Sequence, residues 1–252
     1  MESKKYYERY EQRYRAAYEA GAERWGHAPD NAELISALTA WVEQNSLKGR
    51  KIIEFACGEG AAGVILSKLG CIYHGVDFAP SALEKAQASL RVFPQARVSR
   101  LDMVVERLPD GYDAALDAMG LHMLVADGDR QAYLANAFAV LQPDAPMLFY
   151  KEMYDAEAYD GPVDSAAQWA CITGMDYVSP RDAAVGDRKV EVRTPFLPAR
   201  CRSESQYRDE LTRAGFSVEE FHVNGASREI LSSANIYVRR PRVRPKASSY
   251  PE

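Results

Sequence analysis

Apolar residues along this chain follow two rhythms. Short apolar runs at 51–55, 72–77, 96–101, 112–117 and 147–151 read as buried strands, while 61–69, 80–91 and 130–141 space apolar side chains three and four apart, as one helix face requires. Strands alternating with helices predict a parallel sheet covered on both faces. A helical pattern returns at 203–214, a strand starts within 215–218, and 233–239 closes as another. Before this alternation, Asp30 and Glu33 predict a capping box for a helix carrying Leu34, Leu38, Trp41 and Val42. Earlier still, Tyr6, Tyr7, Tyr10, Tyr14 and Tyr18 recur at helical spacing and end near Trp25, predicting an amphipathic helix over residues 1–25 with an aromatic stripe. Rings in such a stripe pack a helix onto a domain or, as a lid, face a ligand.

The densest chemistry lies where the first strand ends. Glu54-Phe-Ala-Cys-Gly-Glu-Gly60 turns from a strand into a helix, so backbone amides and the helix's positive end face one ligand. Gly58-x-Gly60-x-x-Gly63, with Asp77 about twenty residues on, formally meets a dinucleotide fingerprint. Glu54 argues otherwise. A strand-end carboxylate four residues before Gly58 suits a ligand ammonium and repels a nearby pyrophosphate.

These residues, with Gly75-Val-Asp77-Phe78-Ala-Pro80 following the second strand, resemble the first two motifs of the class I S-adenosylmethionine-dependent methyltransferases. Ala56 stands where that family places its first glycine, so the backbone at 56 is expected to avoid positive φ. The resemblance covers roughly residues 30–150 and 203–239 and implies a Rossmann-like α/β fold, a seven-stranded mostly parallel sheet ending in an antiparallel hairpin. It also implies S-adenosylmethionine as cofactor, held by Glu54, Ala56, Gly58, Gly60, Asp77 with Phe78, Asp102 with Met103 at the adenine, and Asp117 at the end of the fourth strand. Tyr14 and Trp25 join them from an N-terminal helical lid.

The expected organisation is a lid over 1–29, a core over 30–151, a cap insertion over 152–202, the rest of the core over 203–239, and a tail over 240–252. The insertion carries aromatic residues, prolines and arginines and is longer than a simple connection needs, so it is read as the acceptor-binding cap, with weak strands around Lys189 to Arg193. A net charge of −5 argues against a non-specific grip on nucleic acid. With no signal-like segment and no long apolar run, a soluble cytoplasmic enzyme without a membrane partner is expected. Cys57, Cys71, Cys171 and Cys201 form no metal-ligand spacing.

Methyl transfer from a sulfonium is an in-line displacement in which positioning supplies most of the catalysis. A hydroxyl acceptor also needs a base. His122, in Gly120-Leu-His-Met-Leu124, is the candidate base, or else packs beneath the cofactor; of the other histidines only His27 is placed to meet a substrate. The expected function is therefore methylation of oxygen or nitrogen on a small-molecule acceptor. Its alternatives are an NAD(P)-dependent oxidoreductase, disfavoured by Glu54 and by the lack of a Tyr-x-x-x-Lys pair after the fourth strand, and a non-catalytic scaffold that retains the fold.

Overall fold

The computed structural model describes residues 5–109, 111–176, 180–185, 188–195, 197–225 and 232–242. The parallel core alternates as expected: β1 (Lys51–Phe55), α3 (Ala61–Lys68), β2 (Ile72–Asp77), α4 (Pro80–Leu90), β3 (Ala96–Arg100), β4 (Ala114–Ala118), α5 (Asp127–Val140) and β5 (Pro146–Met153). Two helices precede it, α1 (Arg9–Glu19) and α2 (Ala32–Gln44), and α6 (Ala166–Thr173), β6 (Pro180–Val185), β7 (Arg188–Pro195), α7 (Glu204–Arg213), β8 (Ser217–Asn224) and β9 (Ser233–Arg239) follow. The main sheet has the order β3-β2-β1-β4-β5-β9-β8, with β9 antiparallel to both neighbours. β6 and β7 form a separate two-stranded hairpin.

Both faces of the sheet are buried, and alternate residues serve opposite sides, as the two-residue period of a strand requires. Ile52, Leu116, Leu148 and Tyr150 pack with Leu38 and Trp41 of α2 and Leu66 of α3. Ile53, Ala115, Phe149 and Ile236 pack on the other face with Tyr133 and Ala137 of α5 and Tyr207 and Leu211 of α7. The α7 terminus forms a capping box, Ser203 with Gln206. At α2 the cap is Asn31, whose side chain accepts from Leu34 N at 2.9 Å; the capping box expected on Asp30 and Glu33 does not form, and the cap falls one residue later.

Other expectations also shift. The tyrosine stripe occupies a short 3-10 turn and α1, which stops at Glu19; Trp25 follows in an irregular stretch. Arg240 is part of the core edge and not of a free tail. Its N–H donates to Ala145 O at 3.0 Å and its guanidinium to the carbonyls of Phe138, Ala139 and Leu141 at the end of α5. The remainder of the expected tail, 243–252, lies outside the described residues.

Candidate functional site

The sheet's geometry gathers the strand-end acids. Each parallel strand of β1, β2, β3 and β4 ends on the same side, where ligands of open α/β sheets bind. A cavity of about 220 Å³ opens there. Glu54, Ala56, Gly58, Asp77, Phe78, Asp102 and Met103 line its floor, and α1 covers it with Tyr14, joined by Trp25 from the following segment.

Close packing builds the turn at the end of β1. A Cβ on Gly63 would lie 2.5 Å from the Tyr73 ring, so only glycine lets α3 settle on β2. Tyr73 then lies beneath the turn, and its hydroxyl donates to Glu54 Oε2. Gly60 caps α3 at φ 77°, a left-handed conformation natural to glycine. Ala56 is also left-handed, at φ 50°, contrary to expectation. The tight turn imposes the angle, at a cost of about 1–2 kcal/mol for a residue with a Cβ. Gly120 makes the room, since a Cβ there would fall 2.8 Å from the Ala56 Cβ.

Asp77 organises the turn from the next strand. Its Oδ2 accepts from Gly58 N and its Oδ1 from Ala79 N, both at 2.8 Å. Burial raises its pKa against these stabilising amides. Asp102 accepts from Lys5 Nζ, from the Tyr7 hydroxyl at 3.2 Å and from Val104 N at 3.1 Å. Phe78 stacks under the Arg100 guanidinium, 4.9 Å from its ring centre.

Glu54 is only 2% exposed and forms no ion pair among the described residues. Burial, the dominant cause, pushes its pKa up to about 8, partly opposed by the Tyr73 hydrogen bond and reinforced by Asp77. A buried carboxyl group that meets no cation within the protein ionises more readily once a cationic group lies beside it.

Three sequence-predicted residues lie elsewhere. Gly60 faces α4, with the Ala86 Cβ 3.1 Å from where its own would be. Asp117 is fully buried below the cavity floor, accepting from Gly120 N at 2.6 Å and from the Tyr133 hydroxyl. It shapes the turn that presents Met119 and Gly120 to the cavity. His122 is 1% exposed and faces away, its Nδ1 2.8 Å from Glu152 Oε2, while its backbone N–H donates to the same oxygen. A ring held in this way is a packing element, and the base expected at 122 does not reach the cavity.

In its place the cavity holds His27, together with Tyr10, Arg13, Glu59 and Met123, which the motifs left unassigned. Tyr10 and Arg13 share the helical spacing of Tyr14, so the stripe itself was the signal. Glu59 ties the cover to the turn: it accepts from Trp25 N at 2.9 Å, Gly26 N at 2.8 Å and the Tyr18 hydroxyl at 2.7 Å. Glu11 of α1 makes a second tie, accepting from Ser81 N at 3.0 Å and the Ser81 hydroxyl at 2.6 Å. No described residue of 152–202 lines the cavity; β7 of the insertion runs beside α1 instead.

Residues 53–147 match the family model described as a methyltransferase domain. Solved structures share the fold across nearly the whole chain. A 1,6-didemethyltoxoflavin-N1-methyltransferase from Burkholderia thailandensis, bound to 1,6-didemethyltoxoflavin and S-adenosylhomocysteine, aligns at 15% identity and TM-score 0.64, covering 94% of this chain and 89% of its own. An S-adenosylmethionine-dependent methyltransferase from Clostridium acetobutylicum aligns at 13% identity and TM-score 0.62, covering 93% and 99%. The glycopeptide N-methyltransferase MtfA, complexed with S-adenosylmethionine, aligns at 18% and TM-score 0.58, covering 82% and 87%. No curated protein matches the chain.

Sheet order and strand directions thus give a Rossmann-like methyltransferase fold. The chain has the fold of solved S-adenosylmethionine-dependent methyltransferases, and its residues 53–147 match a methyltransferase domain. The residues present fit S-adenosylmethionine, because the buried Glu54 carboxyl lines the cavity and matches an ammonium group in charge. Among the described residues, no helix is long and apolar enough to cross a membrane.

Proposed function

We propose that the enzyme methylates an oxygen or nitrogen of a small-molecule acceptor inside the cavity beneath α1. The observation that carries this reading is the row of carboxylates at adjacent strand ends, Glu54, Asp77 and Asp102, facing one covered cavity. Glu54 would receive the cofactor's ammonium, Asp77 its ribose hydroxyls, and Asp102 with Met103 its adenine. Bound there, S-adenosylmethionine would supply a methyl carbon open to in-line attack by the acceptor's lone pair, with sulfur as the leaving group that keeps the carbon–sulfur electron pair.

The chain's own contribution is alignment and exclusion of water. α1 and Trp25 close the cavity, and Glu59 and Glu11 hold them in place. Where the acceptor must lose a proton, His27 is the residue positioned to take it. It lines the cavity, with Nε2 3.2 Å from Met119 Sδ, and burial, aided by Lys151, lowers its pKa. The imidazole is therefore neutral near pH 7 and able to accept a proton.

Calorimetric titration with S-adenosylhomocysteine and with NADH tests the cofactor assignment. Saturable binding of the first and none of the second is expected, and the reverse would replace the reading with a dehydrogenase. Turnover is tested by incubation with radiolabelled S-adenosylmethionine and metabolite extracts. Label in a small organic product is expected; cofactor binding without labelling across varied extracts would mark a scaffold.

A further inference from the structure

Arg13 is the unexplained charge in this cavity. Its side chain lines the wall beneath α1, its guanidinium lies 4.9 Å from the Trp25 ring centre and 6.0 Å from that of Tyr10, and its buried Nε has no hydrogen-bond partner. The cavity's acids are committed elsewhere: Glu59 to Trp25 and Gly26, Asp102 to Lys5, Asp77 to the turn amides and Glu54 to Tyr73. No ion pair of Arg13 occurs among the described residues. A guanidinium flanked by two aromatic rings and left without a carboxylate is an anion receptor.

The cofactor does not balance it. With its ammonium met by Glu54, the sulfonium and carboxylate of S-adenosylmethionine cancel, so the cofactor brings no net charge to offset the guanidinium. An anion on the second substrate offsets it. Location agrees, because Tyr10 beside Arg13 reaches Met123 Sδ at 2.6 Å and Pro198 O at 3.5 Å, toward the end of β4 and the insertion. Arg13 therefore stands between Tyr10, on the side of β4, and Trp25, on the side of the turn.

Resting on the methyltransferase reading, the geometry points to Arg13 as the receptor for a carboxylate on the acceptor, which makes the acceptor a small organic anion. Trp25 supplies a flat apolar wall beside the bound carboxylate.

Calorimetry on the full chain, saturated with S-adenosylhomocysteine, tests this with benzoate and its neutral counterpart benzamide as probes. Benzoate should bind saturably and more tightly than benzamide. Arg13→Met should weaken benzoate about tenfold or more while S-adenosylhomocysteine affinity stays within about twofold, and Arg13→Lys should retain part of the preference. Thermal melting checks that both variants fold, with Arg13→Lys carrying the test if Arg13→Met does not. Equal binding of the two probes to the wild type, or undiminished benzoate binding to the variants, overturns the proposal. So does loss of S-adenosylhomocysteine affinity in Arg13→Met with 5′-methylthioadenosine unaffected, which assigns the guanidinium to the cofactor's own carboxylate. If the wild type binds no S-adenosylhomocysteine, the underlying reading falls and the acceptor assignment with it. Normal cofactor binding without a benzoate preference sinks the acceptor assignment alone.

Discussion

Replacing Glu59 by alanine should release the cover from the cofactor turn. The carboxylate accepts from two backbone amides, Trp25 N at 2.9 Å and Gly26 N at 2.8 Å, and from the Tyr18 hydroxyl at 2.7 Å. A hydrogen bond to a charged group contributes about 1.5–3 kcal/mol when well sheltered. Glu59 is only half-buried and the freed amides regain water, so about 1 kcal/mol per bond is the appropriate scale. Three such bonds give about 2–4 kcal/mol, of which Glu11 and Ser81 retain none, since their contact lies on another part of α1. Opening of the cover should then become about 30- to 1,000-fold more frequent. Amide hydrogen exchange reads this directly, because the Trp25 and Gly26 amides are themselves the donors. Exchange should quicken across 18–26, stay closer to wild type near Glu11, where the Ser81 tie persists, and stay unchanged in β1, β4 and β5. Unaltered protection at Trp25 and Gly26 would refute the reasoning, and uniform acceleration through the sheet would show loss of global stability instead.

Asp77→Ala should weaken S-adenosylhomocysteine binding by about 1–3 kcal/mol, measured by calorimetry, since it removes the proposed ribose acceptor and the brace on Gly58 N; unchanged affinity removes that assignment. Glu54, whose pKa burial raises to about 8, favours the folded, ligand-free protein in its protonated form. That contribution is fully present below the unfolded carboxylate pKa and is lost as pH rises through about 8, so unfolding of the free protein should become easier over this window. Cofactor binding has the opposite sign, because an ammonium needs the ionised form. Affinity should rise with pH toward about 8, and Glu54→Gln should flatten both profiles; parallel profiles in variant and wild type would dismiss Glu54 as the receptor. His122→Ala should cost about 2–4 kcal/mol in urea unfolding, since Glu152 loses its ring partner while remaining fully buried, yet leave S-adenosylhomocysteine affinity within about threefold. A stable variant that loses the cofactor would return His122 to the site.

Much of the core was legible because its determinants are local. β1, β2 and β9 fall where apolar runs end, and the Glu54–Gly60 turn and Asp77 mark two strand ends at once. The shift of the α2 cap from Asp30 to Asn31 and the left-handed Ala56 were not legible, because each depends on a backbone path that neighbouring segments impose. His122 shows the same limit more sharply. Its position after β4 is readable, but whether its ring enters the cavity depends on Glu152, thirty residues away on β5.

Sequence alone determined the alternation of strands and helices, the turn after β1 and the acids at the ends of β1, β2 and β3, since a period and a motif are properties of adjacent residues. A lid and a substrate-facing His27 were expected, whereas tertiary structure alone decided that Arg13 faces the cavity while Asp117 and His122 lie beneath it, and that Glu59 joins cover to floor. The physical reason is that side-chain direction at a site follows from packing between segments distant in the chain. Burial then sets the charge preference of groups such as Glu54, which no local pattern of residues encodes.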